Sequence, residues 1–161
     1  MIRDYRSSDH KDICRIYNLY IEHSHHTFET IAISETEMFN RIETVIKDFP
    51  FIVFEKDEKV IAYAYATRWK SRQAYDQTAE STIYIEKGHE GKGIGKALYS
   101  ELIRRLALLN LHCILAGIAL PNDASIALHE KLGFEKSGVL KEVGNKFGHP
   151  IDVAYWSLIL N

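Results

Sequence analysis

Cysteine is scarce in this chain: Cys14 and Cys113 stand far apart in apolar segments. Such a pair makes neither a disulfide framework nor a zinc pattern, and both read as small buried hydrophobes. Charge of one sign is missing too. The 20 Lys and Arg against 22 Asp and Glu leave a formal charge of −2, too little for a global field that gathers nucleic acid or an anionic membrane. With 9 glycines and 3 prolines the chain is neither fibrous nor of disordered composition. The longest apolar run, Leu106 to Leu120, is broken by Asn110 and His112 and is too short for a bilayer. The charged start, Met1-Ile2-Arg3-Asp4-Tyr5-Arg6, lacks the apolar stretch of a secretory signal. These absences point to a cytoplasmic globular protein with neither membrane nor nucleic acid as partner. Its 161 residues suffice for one domain, 1–161, with a real core.

What is present is a clear alternation of hydrophobic period. Ile2 to Arg6 reads as a short strand. Ser8-Asp9 caps a helix on which Ile13, Ile16, Tyr17, Tyr20 and Ile21 recur at helical spacing. Ser34-Glu35-Thr36-Glu37 is a capping-box pattern opening a second helix, with Met38, Ile42, Val45 and Phe49 apolar. After Pro50 the period becomes that of strands. Phe51 to Phe54 and Val60 to Trp69 make a hairpin about Lys56-Asp57-Glu58-Lys59, with Tyr63 and Tyr65 on one face. A polar loop, Lys70 to Gln77, precedes a strand through Thr82-Ile83-Tyr84-Ile85. Gly91-Lys92-Gly93-Ile94-Gly95 follows, then a helix from Lys96 to about Leu109. A buried strand (His112 to Leu120) and a short helix (Asp123 to Leu132, closed by Gly133) come next. Two last strands, Phe134 to Val143 and Asp152 to Leu160, flank a loop at Asn145 to Pro150. The order β-α-α-β-β-β-α-β-α-β-β, without repeat or linker, predicts an α+β fold with a mixed sheet flanked by helices.

The glycine loop carries the first chemistry. Between strand and helix, glycines free backbone N–H groups to point at an anion where the helix dipole is also favourable. Lys92 and Lys96 add positive charge, so Gly91 to Lys96 is a candidate phosphate or pyrophosphate site. An ordinary strand-to-helix turn explains the same residues. The loop lacks the Gly-Lys-Ser/Thr ending of a nucleotide P-loop and the spacing of a dinucleotide fingerprint.

Glu90-Gly91-Lys92-Gly93-Ile94-Gly95 resembles the coenzyme A pyrophosphate loop of the GCN5-related N-acetyltransferases, and the element order matches that fold. The family usually has Gln or Arg where this chain has Glu90. Leu120-Pro121-Asn122-Asp123-Ala124-Ser125, running into Leu128-His129-Glu130-Lys131-Leu132-Gly133-Phe134, is similar to the family's later helix and strand. Arg68 to Tyr75, Thr78 to Ile85, Val143 to Gly148, and Tyr17-Asn18 followed by Thr27-Phe28-Glu29 resemble the phosphinothricin and methionine-sulfoximine acetyltransferase branch. The resemblance implies acetyl-coenzyme A as cosubstrate, a small amine as acceptor, a homodimer, and no metal.

It also implies roles. Acetyl transfer needs a neutral amine, a stabilised carbonyl oxygen and a proton for the departing thiolate. Glu80 takes the position of the general base; residue type alone favours a solvated or ion-paired carboxylate, and the matched motif reverses that preference. His129 stands where many relatives have a tyrosine acid, and its role as acid to sulfur or second base stays open. Ile83, Tyr84 and Ile85 would pair with the pantetheine arm, which Asn122 would also contact. Lys70, Arg72 and Tyr75 form a basic-aromatic loop suited to an acceptor carboxylate, with Phe28, Ser81 and Thr82 also on the acceptor side. The same loop reads otherwise as solvated surface. His23, His25 and His26 match no zinc spacing and read as a polar helix end. Two alternatives remain: another acceptor (polyamine, aminoglycoside or protein N-terminus), and a coenzyme-A-binding sensor without turnover.

Overall fold

The change of period at Pro50 separates helices from strands in the computed structural model, which describes residues 1–160. Before it, β1 (Ile2–Asp4) leads through a short 3-10 turn into α1 (His10–His23), and α2 (Glu35–Val45) follows. Ser34 caps α2: its hydroxyl accepts the Glu37 N–H at 3.1 Å, as the capping pattern expects. After it come β2 (Phe51–Lys56), β3 (Lys59–Arg68), β4 (Thr78–Ile85), α3 (Ile94–Leu106), β5 (Cys113–Ala119), α4 (Asp123–Lys131), β6 (Glu135–Lys146) and β7 (His149–Ile159). The strands join in one sheet in the order β1-β2-β3-β4-β5-β7-β6. β4 and β5 run parallel, and the other neighbouring pairs are antiparallel. This is the α+β mixed sheet that the element order predicts.

Successive strand residues divide between two cores, as a pleated sheet requires. Ile52, Ala62 and Ala64 face α3, which buries Leu98, Tyr99, Leu102 and Leu106 completely. Phe51, Val53 and Tyr63 face α1 and α2 with Ile13, Ile16, Met38 and Ile42. Each fully buried aliphatic side chain contributes about 1.5–3 kcal/mol, which fixes the sheet between two helical layers. Tyr63 and Tyr65 share a face with Phe51, whose ring stacks on Tyr65 at 4.9 Å.

Some boundaries differ from the sequence reading. Asn145 to Pro150 is no open loop. β6 and β7 continue to a two-residue turn, Phe147-Gly148, with φ of 54° and 76°, the left-handed geometry of a type I′ hairpin. Pro150 is tolerated because β5 pairs β7 only as far as Val153, so its missing N–H costs no ladder bond on that side. α3 ends at Leu106 rather than near Leu109, because Leu108 leaves the apolar face and is exposed. Cys14 is buried as expected, Cys113 is only half-buried, and both are free thiols.

Candidate active site

β4 and β5 are paired only at their first residues, Thr78↔Cys113, Ala79↔Ile114 and Glu80↔Leu115. Beyond Glu80 each strand keeps its outer neighbour, β4 with β3 as far as Ile85↔Ala62 and β5 with β7 as far as Ala119↔Val153. The inner edges from Ser81 and from Ala116 onward therefore diverge and face a gap. Backbone N–H and C=O groups need partners, so this fork suits a ligand that itself carries amides. Its walls enclose a cleft of ≈ 970 Å³ that Ile83, Tyr84 and Ile85 line.

The cleft runs up to the start of α3. Gly93 takes a left-handed N-cap conformation (φ 79°) and supplies no side-chain cap, which leaves first-turn N–H groups available. Gly91, Gly95 and Lys96 line the same end. Lys92 turns back, its Nζ donating to Gly88 O at 2.7 Å, and the Ile94 side chain packs into the core. The Glu90 carboxylate accepts the Gly88 N–H at 2.6 Å, so it is held within the loop. Asn122 Oδ1 accepts the Ser125 N–H at 3.2 Å and caps α4, while its side chain lines the cleft and keeps its amide donor. An uncapped helix start beside Lys96, continuous with the unpaired strand edges, fits a chain bearing phosphates at one end and amides along its length.

A second cavity of ≈ 330 Å³ opens at Glu80. Gly117 makes room for the carboxylate: a Cβ there would lie 3.3 Å from Glu80 Oε1 and 3.2 Å from the Tyr155 ring. Leu140 and Val143 form another wall because β6 bulges between Leu140 and Gly144. Asp152 holds that bulge by accepting the Glu142 N–H at 2.7 Å, and bulges re-aim side chains in this way. Phe28 closes the pocket by lying on Gly144, where a Cβ would stand 2.5 Å from its ring. Lys146, buried, fastens the preceding segment by donating to Ser24 O and Thr27 O at 2.7 and 2.8 Å. His26, Glu80, Gly117 and Ala119 line both cavities, and there the two meet. Burial raises the Glu80 carboxyl above its ordinary value, and Lys70 pulls it part of the way back.

His129 is 4% exposed and wedged edge-on between the rings of Tyr99 and Phe134. Its Nδ1 lies 2.7 Å from Ser125 O, and a carbonyl only accepts, so Nδ1 carries the proton. Nε2 meets the Tyr99 hydroxyl at 3.0 Å. Burial lowers the imidazole below its ordinary value, and the Ser125 carbonyl opposes that.

The remaining expected acceptor residues separate. Ser81 and Thr82 line the larger cleft rather than the smaller pocket. Lys70 stands 5.2 Å over Trp69, against which Tyr75 packs edge-on. Arg72 precedes the 3-10 turn Gln73–Tyr75; it and Tyr75 are exposed and line neither cavity. Sequence reasoning missed His26, whose only signal was its place beside Thr27-Phe28-Glu29. Burial and His25 lower its imidazole. Gly117, Tyr155 and Tyr99 were missed as well, since a strand glycine, a strand tyrosine and a core tyrosine on a helix carry no local signature. Among the described residues no group of three or more His, Cys, Asp or Glu gathers as a metal site.

A family model for the acetyltransferase (GNAT) domain matches residues 2–155. A phosphinothricin N-acetyltransferase of Streptomyces viridochromogenes is 37% identical over 155 residues, covering 96% of this chain and 85% of that protein. The crystal structure of a GNAT superfamily phosphinothricin acetyltransferase from Sinorhizobium meliloti in complex with AcCoA superposes with a TM-score of 0.96 at 37% identity. It covers 100% of this chain and 88% of its own. A ribosomal-protein-alanine N-acetyltransferase from Brucella melitensis superposes with a TM-score of 0.97 at 32% identity, over 99% of both chains. With likeness running the length of the chain in both sequence and structure, this protein belongs to the GNAT acetyltransferase family.

Proposed function

We propose that the protein transfers the acetyl group of acetyl-coenzyme A directly to the amine of a small amino-acid-like acceptor such as phosphinothricin, methionine sulfoximine or methionine sulfone. The observation that carries this reading is the junction of the two cavities at Glu80. The coenzyme supplies the activated acetyl thioester; the chain supplies the fork, the base and the acceptor pocket. Inner-edge groups of Ile83 to Ile85 and the amide of Asn122 meet the pantetheine amides, while the start of α3 and Lys96 meet the phosphates. Glu80 takes a proton from the acceptor ammonium, and its raised pKa makes it a better base than an exposed carboxylate. Lys70, close enough to act on Glu80, faces the acceptor's anionic group, with Arg72 further out on the same loop.

A pocket of ≈ 330 Å³ with apolar walls at Phe28, Leu140 and Val143 fits a short aliphatic stem. A polycation calls for a more acidic wall than Glu80 alone. The edge strand β6, with Val139, Leu140 and Val143 exposed, and Phe147, exposed in the turn that follows, support a homodimer. The two free thiols support a reducing, cytoplasmic setting.

The test is free-thiol release from acetyl-coenzyme A with phosphinothricin, methionine sulfoximine, methionine sulfone, common amino acids, a polyamine, an aminoglycoside and an N-terminal alanine peptide. Turnover confined to the amino-acid analogues is the expected result. Turnover on the peptide or a polycation would replace the acceptor class, and tight coenzyme binding with silence throughout would favour a sensor.

A further inference from the structure

Glu80 and Ser81 are neighbours on β4 and so project to opposite faces of the sheet at the vertex of the fork. Behind the Ser81 face lies a chain of short contacts. Ser81 Oγ is 2.5 Å from the Tyr99 hydroxyl and 3.1 Å from Leu115 O, and Tyr99 reaches His129 Nε2 at 3.0 Å. Counting hydrogens shows that these contacts cannot all be made at once while His129 is neutral. Each hydroxyl has one proton to donate, and Nδ1–H is already committed to Ser125 O. With neutral His129, Tyr99 donates to Nε2, Ser81 donates to Tyr99, and the Leu115 carbonyl is left without its partner. One added proton completes the set: Nε2–H donates to Tyr99, Tyr99 to Ser81, and Ser81 to Leu115 O. The network thus has two registers that differ by one proton entering at Ser81 and arriving on the imidazole.

Resting on the acetyltransferase reading above, we infer that Ser81 and Tyr99 form a proton relay that connects the fork to buried His129, with Tyr99 as a positioning residue that also fixes the His129 tautomer. The stoichiometry of acyl transfer calls for such a second acceptor. Turning an ammonium into an amide forms the N–C bond, breaks the C–S bond and frees two protons from nitrogen. One ends on sulfur as the thiol and the other leaves to solvent. Glu80 takes the first on its own face. The second enters at Ser81 Oγ, moves one bond at a time to His129 Nε2, and returns by the same path to the departing sulfur. The imidazolium is accommodated because both its N–H groups then have acceptors, and its burial makes it a willing donor.

The groups facing the ring are few. From α3 it meets Tyr99, from β4 Ser81 through that hydroxyl, from its own helix Ser125, and from the following segment Phe134. Lys96 and Lys131 line the cleft without a hydrogen bond to the ring, and Glu130 turns its carboxylate to Trp156 Nε1 at 3.3 Å. No neighbouring charge contributes to the lowering of its pKa.

Two measurements test the relay. In the wild type, log(kcat/KM) on the acid side should fall with two ionisations, since Glu80 and His129 must both be unprotonated. Tyr99→Phe and Ser81→Ala should each leave one ionisation, and His129→Gln should cost nothing further in a Tyr99→Phe background. Nitrogen-15 NMR of the protein without coenzyme should show His129 as the Nδ1–H tautomer, with its titration displaced in Tyr99→Phe. This second readout does not depend on the acceptor and serves even if Tyr99→Phe melts too low for kinetics. Two ionisations surviving in Tyr99→Phe, additive costs for Tyr99 and His129, or an Nε2–H tautomer would each overturn the relay. A wild type that turns over no acceptor yet shows the Nδ1–H tautomer and a Tyr99-dependent titration would instead count against the acetyltransferase reading alone.

Discussion

The larger cleft offers mainly backbone groups, from Ser81 to Lys96 and along the facing edge from Ala116 to Asn122, whereas the smaller pocket is walled by the side chains of Phe28, Glu80, Leu140, Val143 and Tyr155 around Gly117. A site made of N–H and C=O groups survives changes of side chain, as Glu90 illustrates: it lines the cleft with its carboxylate held by the Gly88 N–H. A site made of side chains changes with each of them. The contrast teaches where the two specificities reside: coenzyme recognition in the fork and the start of α3, acceptor recognition in the bulge of β6 and the segment that Lys146 fastens.

The sharpest way to break the comparison is at the residue the halves share. Glu80→Gln should lower kcat/KM by roughly 10²–10⁴ at neutral pH, the usual value of a positioned base, while calorimetry finds coenzyme affinity unchanged. Next comes a change confined to the acceptor half. Gly144→Ala places a methyl 2.5 Å from the Phe28 ring. The ring must shift and so alter the pocket wall that it forms, and acceptor KM should rise on the order of tenfold or more, again with coenzyme binding intact. The mirror change is Gly93→Ala, which puts a side chain at φ 79°. The strain of about 1–2 kcal/mol should weaken coenzyme binding up to roughly thirtyfold and leave acceptor KM at saturating coenzyme alone. Effects that cross over in either variant would mean that the halves are not independent.

The smallest effect is electrostatic. Lys70 opposes the raised pKa of Glu80, so Lys70→Met should raise that pKa further. A carboxylate that must be ionised to act is lost as pH falls through its pKa, and the acid limb of kcat/KM should therefore move to higher pH. Acceptor KM should also rise, more than in Arg72→Ala, because Lys70 is near enough to act on Glu80 and Arg72 has no such influence, although neither lines the pocket.

What was legible in the sequence was local. The helix cap at Ser34 and the glycine loop before α3 are read from neighbours within one turn, and the change of period at Pro50 separates helices from strands. The same locality explains the miss at Asn145 to Pro150. Asn, Gly and Pro together signal a loop, but the strands pair across them because β5 ends before Pro150. Glu80 and His129 were named only through resemblance, since one carboxylate and one helix histidine carry no signal of their own. His26 and Tyr99 were beyond reach for a physical reason: His26 matters because a loop 96 residues from Pro121 is folded against it through His25. Tyr99 has the spacing of an ordinary core residue on α3, and its hydroxyl is placed between Ser81 and His129 only by the packing of three elements.

The central claim is that acceptor nitrogen and coenzyme sulfur meet at the junction beside Glu80. A ligand that joins the sulfur of coenzyme A to the nitrogen of phosphinothricin through an acetyl bridge occupies both cavities at once if that is so. Titration should find it bound at least roughly 10²-fold more tightly than coenzyme A, with the gain diminished by Gly144→Ala. An affinity equal to that of coenzyme A alone would show that the smaller pocket does not hold the acceptor.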